Sequence, residues 1–206
     1  MKIWFPWLLA SIWLMAVGLG MGGLLVYDFT PGKDTSIPAS WPAQSKIVRL
    51  PGQTTLVMFA HPDCPCTRAS LGELAELMAH SQNKVSAYVL FLHPKGSSEG
   101  WLHTDLWSSA QAIPGVTVQA DGEGKEAGNF RVTTSGQVVL YDAENRLIFH
   151  GGITPSRGHY GDNDGISIIL KLLNHEKTAE TATPVFGCSL LDPKLEDIPE
   201  VSACTR

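Results

Sequence analysis

Basic residues are in short supply. Fifteen lysines and arginines stand against twenty aspartates and glutamates, a net charge of -5. No basic stripe gathers anywhere along the chain, which argues against nucleic acid as a partner. There is no internal repeat and no low-complexity segment, so 206 residues suit one domain of ordinary size behind whatever the N-terminus does. Cysteine is scarce too: Cys64, Cys66, Cys188 and Cys204 are the whole set.

Charge is missing altogether from Ile3 to Tyr27. At the helical rise that run crosses a bilayer core with some tilt to spare. Trp4, Trp7, Trp13 and Tyr27 supply interfacial anchors near its ends. The rival is a cleaved signal peptide, with small residues around Ala16 and Gly18 for the cleavage; its apolar region would be shorter, and the anchor is the favoured reading. No cysteine lies nearby to take a lipid. Lys2 precedes the span, while Asp28, Lys33 and Asp34 follow it, a bias that puts the domain outside the cytoplasm. The expected location is the cytoplasmic (inner) membrane, single-pass, with all four cysteines in an oxidising, periplasmic or other extracytoplasmic space.

Residues 28–52 contain Pro31, Pro38, Pro42 and Pro51 and read as a tether, with one short strand near Lys46–Leu50. The compact domain is expected over 53–175. Leu56–Ala60 and Val85–Leu92 are apolar throughout, as central parallel strands are. Between them Leu71, Leu74, Leu77 and Met78 form a helical stripe. A helix is expected over Trp101–Ile113, a strand at Val116–Ala120 and a helical turn at Lys125–Phe130. Gln137–Tyr141 and Arg146–His150 read as a hairpin, and a last helix carries Ile166, Ile169, Leu170 and Leu173. Residues 176–206 form a polar tail.

The informative stretch is Phe59-Ala60-His61-Pro62-Asp63-Cys64-Pro65-Cys66, where an apolar strand ends and an amphipathic helix begins. A helix N-terminus offers unpaired N–H groups and partial positive charge, which favour thiolate over thiol. Cys64, the earlier and by expectation the more exposed, is the candidate nucleophile, and Cys66 the resolving thiol. A disulfide across one intervening residue closes a small ring, and departure from relaxed geometry makes such a bond easier to reduce. His61 and Arg68 flank the pair and would depress a thiol pKa if charged, while Asp63 would oppose them or cap the helix. Each also has a plain reading as a turn or surface residue. The Gly-rich loop 151–165 carries Arg157 and His159. Cys188 and Cys204 enclose fifteen residues. They are expected to bridge each other, at about 3 kcal/mol on the chain-entropy estimate; alternatively Cys188 returns to resolve Cys64 or Cys66.

In their order, three segments resemble the thioredoxin-like superfamily, and within it membrane-anchored TlpA/ResA-type (or RedB-type) thiol–disulfide oxidoreductases. They are Phe59-Ala60 with Cys64-Pro65-Cys66; Asp121, Ala127, Phe130 and Val132; and Val139-Leu140-Tyr141-Asp142. The resemblance covers residues 53–175 and implies an α/β three-layer fold, a central mixed sheet flanked by helices. It implies parallel first and last strands, which would put loop 151–165 at the same sheet edge as the cysteine turn. It also implies exchange with a protein thiol or disulfide substrate, without a cofactor or a resident metal. Two departures stand out. The family's C-x-x-C is replaced by Cys64-Pro65-Cys66, with Cys66 at the position of the second cysteine and Asp63 at that of the first. The family's cis-proline position falls on Gly136. Two other functions compete: a copper or zinc site built on the cysteines with His61, His150 or His159, and a non-catalytic interaction domain. A thiol peroxidase using Arg68 or Arg157 ranks lower, because no peroxidatic motif is spelled out.

Overall fold

A computed structural model describes residues 4–33 and 35–190, and it divides into two units, Met1–Thr30 and Pro31–Arg206. The first is helix α1, Trp4–Asp28. Within it Pro6–Asp28 is long and apolar enough to cross a membrane, and none of its side chains is buried within the chain.

The second unit is built on five strands: β1 (Thr54–Ala60), β2 (Val85–His93), β3 (Val116–Gly122), β4 (Val138–Tyr141) and β5 (Leu147–Gly151). Their order across the sheet is β3-β2-β1-β4-β5. β1, β2 and β3 run parallel; β4 is antiparallel to β1 and β5 to β4. Strands β1 and β5 therefore point the same way, as the loop argument requires. Alternation along β1 sends Leu56, Met58 and Ala60 to one face and Val57 and Phe59 to the other, each side chain fully buried. Both faces need cover, which is why β1 reads as an unbroken apolar run.

One face is covered by α2 (Pro65–His80) and α6 (Asp164–Leu173), through Leu71, Leu74, Leu77, Ile168 and Ile169. The expected helix over 101–113 is instead two short ones, α3 (Glu99–Leu102) and α4 (Asp105–Gln111). Thr104 between them is extended (φ −83°, ψ 177°), and its hydroxyl donates to the Pro62 carbonyl at 3.3 Å, which ties the break to the cysteine turn. The other face is covered by α5 (Lys125–Phe130). The buried Asp121 carboxylate accepts the Glu126 and Ala127 N–H groups at 2.8 and 2.9 Å, and Ala127, Phe130 and Val132 fill the core. The spaced motif at Asp121 thus specifies a capped turn of helix and its apolar footing.

The segment expected to be a tether packs on the domain from Pro31 onward. Trp41 lies edge-on to Phe130 and Tyr141 at 5.0 and 5.2 Å, Arg49 sits 4.6 Å over the Trp41 ring, and Ile47 is buried. Lys46–Leu50 forms no strand. Its prolines do not loosen the segment, because the aromatic contacts hold it. Trp41→Ala is therefore expected to destabilise the domain by about 2 kcal/mol, lowering Tm by roughly 4–8 °C. An unchanged melting curve would mean that 31–52 is a loose tether after all.

Candidate active site

Strand β1 ends at Ala60, and the turn His61-Pro62-Asp63 carries the chain into α2. Cys64 occupies the N-cap position with an extended backbone (φ −86°, ψ 120°), and Pro65 opens the helix, where its missing N–H costs nothing. Asp63, expected as the cap, is one residue too early and exposed; its N–H donates to His61 Nδ1 at 3.1 Å. His61 Nδ1 is the acceptor in that bond, so the ring shapes the turn. Its ring stands edge-on to Trp101 at 5.5 Å.

The turn is fastened to the loop before β4 by buried hydroxyls. Ser135 Oγ accepts the His61 N–H at 2.8 Å and pairs with Thr67 Oγ1 at 2.9 Å, while Thr67 Oγ1 donates to the His61 carbonyl at 3.1 Å. Next to Ser135, Gly136 has φ +86° and donates to the Phe59 carbonyl at 2.7 Å; a Cβ there would press on Ser70 Oγ. Gly136 suits this place because its backbone is left-handed and lies against α2. Thr67 and Ser135 were not singled out from the sequence, since isolated hydroxyls give no pattern.

Residues 176–190 also return to the domain. Thr181 and Thr183 bond the His150 backbone beside β5, the Gly32 N–H donates to the Val185 carbonyl at 2.7 Å, and residue 189 bridges antiparallel to 134. That course brings the Cys188 sulfur to 2.8 Å from the Cys64 sulfur, and the sulfurs of Cys64, Cys66 and Cys188 all lie within 4.8 Å of one another. None of the three forms a disulfide. The expected partner Cys204 lies outside the described residues. Cys64 is the less exposed of the C-P-C pair, at 2% against 5% for Cys66, because the returning tail covers it.

This crowding sets the charge. A hydrogen bond from the Cys66 thiol draws Cys64 down to about 4; burial opposes it, and the Cys188 thiol, the Cys188 N–H and the Thr67 N–H add to it. Cys66 is pushed above the ordinary thiol range by donating to Cys64, then by burial. Cys188 is pushed up to about 11, first by burial and then by its own donation to Cys64. One sulfur thus holds the negative charge and two thiols donate to it.

Of the flanking cations, Arg157 is delivered to the cluster. Its guanidinium donates to the Gly187 carbonyl at 2.6 Å, and its charge weakly favours the thiolates of Cys66 and Cys188. His159 is exposed and turned into its own loop, with Nδ1 at 3.0 Å from Ser156 Oγ and 2.7 Å from the Arg157 carbonyl. Arg68 is exposed and paired with Asp105, so it leaves the thiolate alone. The loop itself is held on α2, where buried Glu73 accepts from Gly161 N–H and Asn163 Nδ2 at 2.7 and 3.2 Å.

Several solved structures share this architecture. A hypothetical protein from Sinorhizobium meliloti 1021 superposes with a TM-score of 0.60, 17% identity, over 78% of this chain and 97% of its own. An uncharacterized conserved protein from Geobacillus kaustophilus gives 0.56, 19% identity, over 80% and 94%. A secreted Mycobacterium tuberculosis disulfide oxidoreductase is more distant, at 0.43 and 15% identity over 61% and 84%. The fold is thioredoxin-like. No protein-family profile and no curated protein sequence matches the chain. The thioredoxin-like sheet explains why the cysteine turn, loop 133–136 and loop 151–165 meet: all three lie at the edge where β1 and β5 end.

Proposed function

We propose that the chain is a membrane-tethered thiol–disulfide oxidoreductase acting on protein thiols at Cys64-Pro65-Cys66, with its domain on the extracytoplasmic side. The observation that carries this reading is the sulfur cluster, in which one helix-head thiolate is surrounded by two thiol donors within 4.8 Å. The Cys64 thiolate attacks a substrate disulfide, forms a mixed disulfide and releases one substrate thiolate. A second cysteine of the chain then attacks the Cys64 sulfur and frees the other substrate half. The depressed pKa keeps Cys64 as thiolate, the form that attacks in the first step. The apolar helix α1 supports the tether, and Lys2 before it supports the orientation.

A second reading rests on the same cluster. Three cysteine sulfurs this close form a donor set suited to a soft ion such as Cu(I). The expected histidine ligands do not join them: among the described residues the cluster holds Cys64, Cys66 and Cys188 alone.

Redox titration of the full-length chain in detergent, with metal analysis after purification under reducing conditions, separates the two. Exchange predicts a two-electron couple, reduction of a disulfide-bonded peptide, and no stoichiometric metal. One equivalent of copper per chain with no titrating couple would replace the oxidoreductase by a metal carrier.

A further inference from the structure

We propose that the disulfide formed in turnover joins Cys64 to Cys188, so that the chain's C-terminal segment, and not Cys66, supplies the resolving thiol. This rests on the exchange function proposed above and assigns the second sulfur of that site.

The seating of Cys188 is built, not incidental. The Ser135 N–H donates to the Cys188 carbonyl and the Leu190 N–H to the Thr133 carbonyl, both at 2.8 Å, which seats 188–190 along 133–135 through an isolated antiparallel bridge between Thr134 and Ser189. Arg157 holds the Gly187 carbonyl from the other side. Gly187 lies so close to loop 133–136 that a Cβ on it would collide with the Ser135 carbonyl oxygen. Gly151 and Gly152 admit Thr183 and Pro184 by the same close approach. Leu190 completes the seat, buried with Phe59, Phe130 and Val132. The result is a sulfur 2.8 Å from Cys64, less than 1 Å beyond a bond of about 2.05 Å.

Cys66 is the poorer partner for closure. It sits on the first turn of α2, one residue from Cys64, where the small ring forces the bond away from relaxed geometry. Cys188 approaches through space from a separate segment and meets no such constraint. Every contact that holds the segment is noncovalent, so its departure for an entering substrate and its return to resolve break no covalent bond.

With oxidised glutathione as substrate the step balances. The Cys64 thiolate attacks one glutathione sulfur, forming Cys64–S–S–glutathione and releasing a glutathione thiolate. Cys188 then attacks the Cys64 sulfur, its proton passing to the second departing glutathione. The chain's two thiols lose two electrons, and one glutathione disulfide becomes two glutathiones.

Trypsin distinguishes the possible bridges. Residues 50–68 carry both Cys64 and Cys66, 178–194 carry Cys188, and 195–206 carry Cys204. The reduced full-length chain in detergent is treated with oxidised glutathione, acid-quenched, digested and analysed by mass spectrometry. The expected product is 50–68 linked to 178–194, and Cys66→Ala still forms that link, at a rate lowered by the loss of its donor to Cys64. Cys188→Ser is expected to turn over about tenfold more slowly and to accumulate the Cys64–glutathione adduct. Gly187→Val should reduce the link about tenfold while leaving adduct formation intact. A closed 50–68 peptide two hydrogens lighter, or 178–194 joined to 195–206, would overturn the assignment, as would wild-type turnover by Cys188→Ser. Those results leave the exchange function standing; a wild-type chain that neither consumes oxidised glutathione nor forms an adduct at Cys64 would remove the function itself.

Discussion

Cys64→Ser is expected to lower disulfide exchange by at least about a thousandfold, because it removes the attacking sulfur and not merely a contact to it. A serine hydroxyl does not ionise in this range, so hydrogen bonds from Cys66 and Cys188 would then surround a neutral, weakly nucleophilic oxygen. The fold should survive. The position is a helix N-cap, where serine is itself favoured, and the loss of volume is small. Reduction of a disulfide-bonded peptide, followed by thiol release, checks the effect, with a melting curve to show that the domain is intact. Retained activity in Cys64→Ser with loss in Cys66→Ser would move the nucleophile two residues along.

The second large effect is on pH. Cys64 lies at about 4, held there first by the Cys66 thiol. At pH 5 it is roughly 90% thiolate, whereas an ordinary thiol near 8.5 is below about 0.1%. Lower basicity reduces intrinsic nucleophilicity by about two orders of magnitude over that gap, so roughly a ten- to thirtyfold advantage survives. Alkylation of Cys64 by iodoacetamide, followed by mass spectrometry, should show its inflection near pH 4 in the reduced full-length chain. Burial slows the reaction equally at every pH and leaves the inflection in place. Cys66→Ala removes the leading donor and should move the inflection upward. An inflection near 8.5 in the unmodified chain would mean that the cluster does not hold its charge on Cys64.

The same charge distribution governs stability. Cys64 has a folded pKa below its unfolded one, so it adds stability that is lost as pH falls from the ordinary thiol range through about 4. Cys66 and Cys188 are shifted the other way. They stay protonated in the fold where the unfolded chain would ionise, and they withdraw stability as pH rises above that range. The cysteine contribution to the reduced domain is therefore expected to peak where ordinary thiols begin to titrate.

Much of the fold was legible because local pattern and tertiary role agree. The apolar runs Leu56–Ala60 of β1 and Ala87–Leu92 of β2 are what strands covered on both faces require, and the Leu71–Leu74–Leu77 stripe marks the face of α2 that they meet. Other features were misread for reasons that can be named. Prolines in 31–52 suggest looseness, yet Trp41, Arg49 and Ile47 find partners far along the chain. Arg68 stands next to the cysteines in sequence, but the helix turns it toward Asp105. The region 101–113 reads as helix throughout, yet it breaks at Thr104, where the hydroxyl donates to the Pro62 carbonyl of the cysteine turn.

The sequence by itself determined a thiol at the head of a helix, following a buried strand, in a chain that begins with an apolar helix. Those are properties of neighbouring residues, set by periodicity, by helix-end polarity and by uninterrupted hydrophobicity. Only the tertiary structure decided which sulfur faces Cys64. That choice depends on a main-chain pairing between 133–135 and 188–190, on a glycine that clears the Ser135 carbonyl, and on an arginine that grips the segment between them. Such contacts join residues about fifty apart through backbone groups every residue carries, so no spacing of side chains announces them.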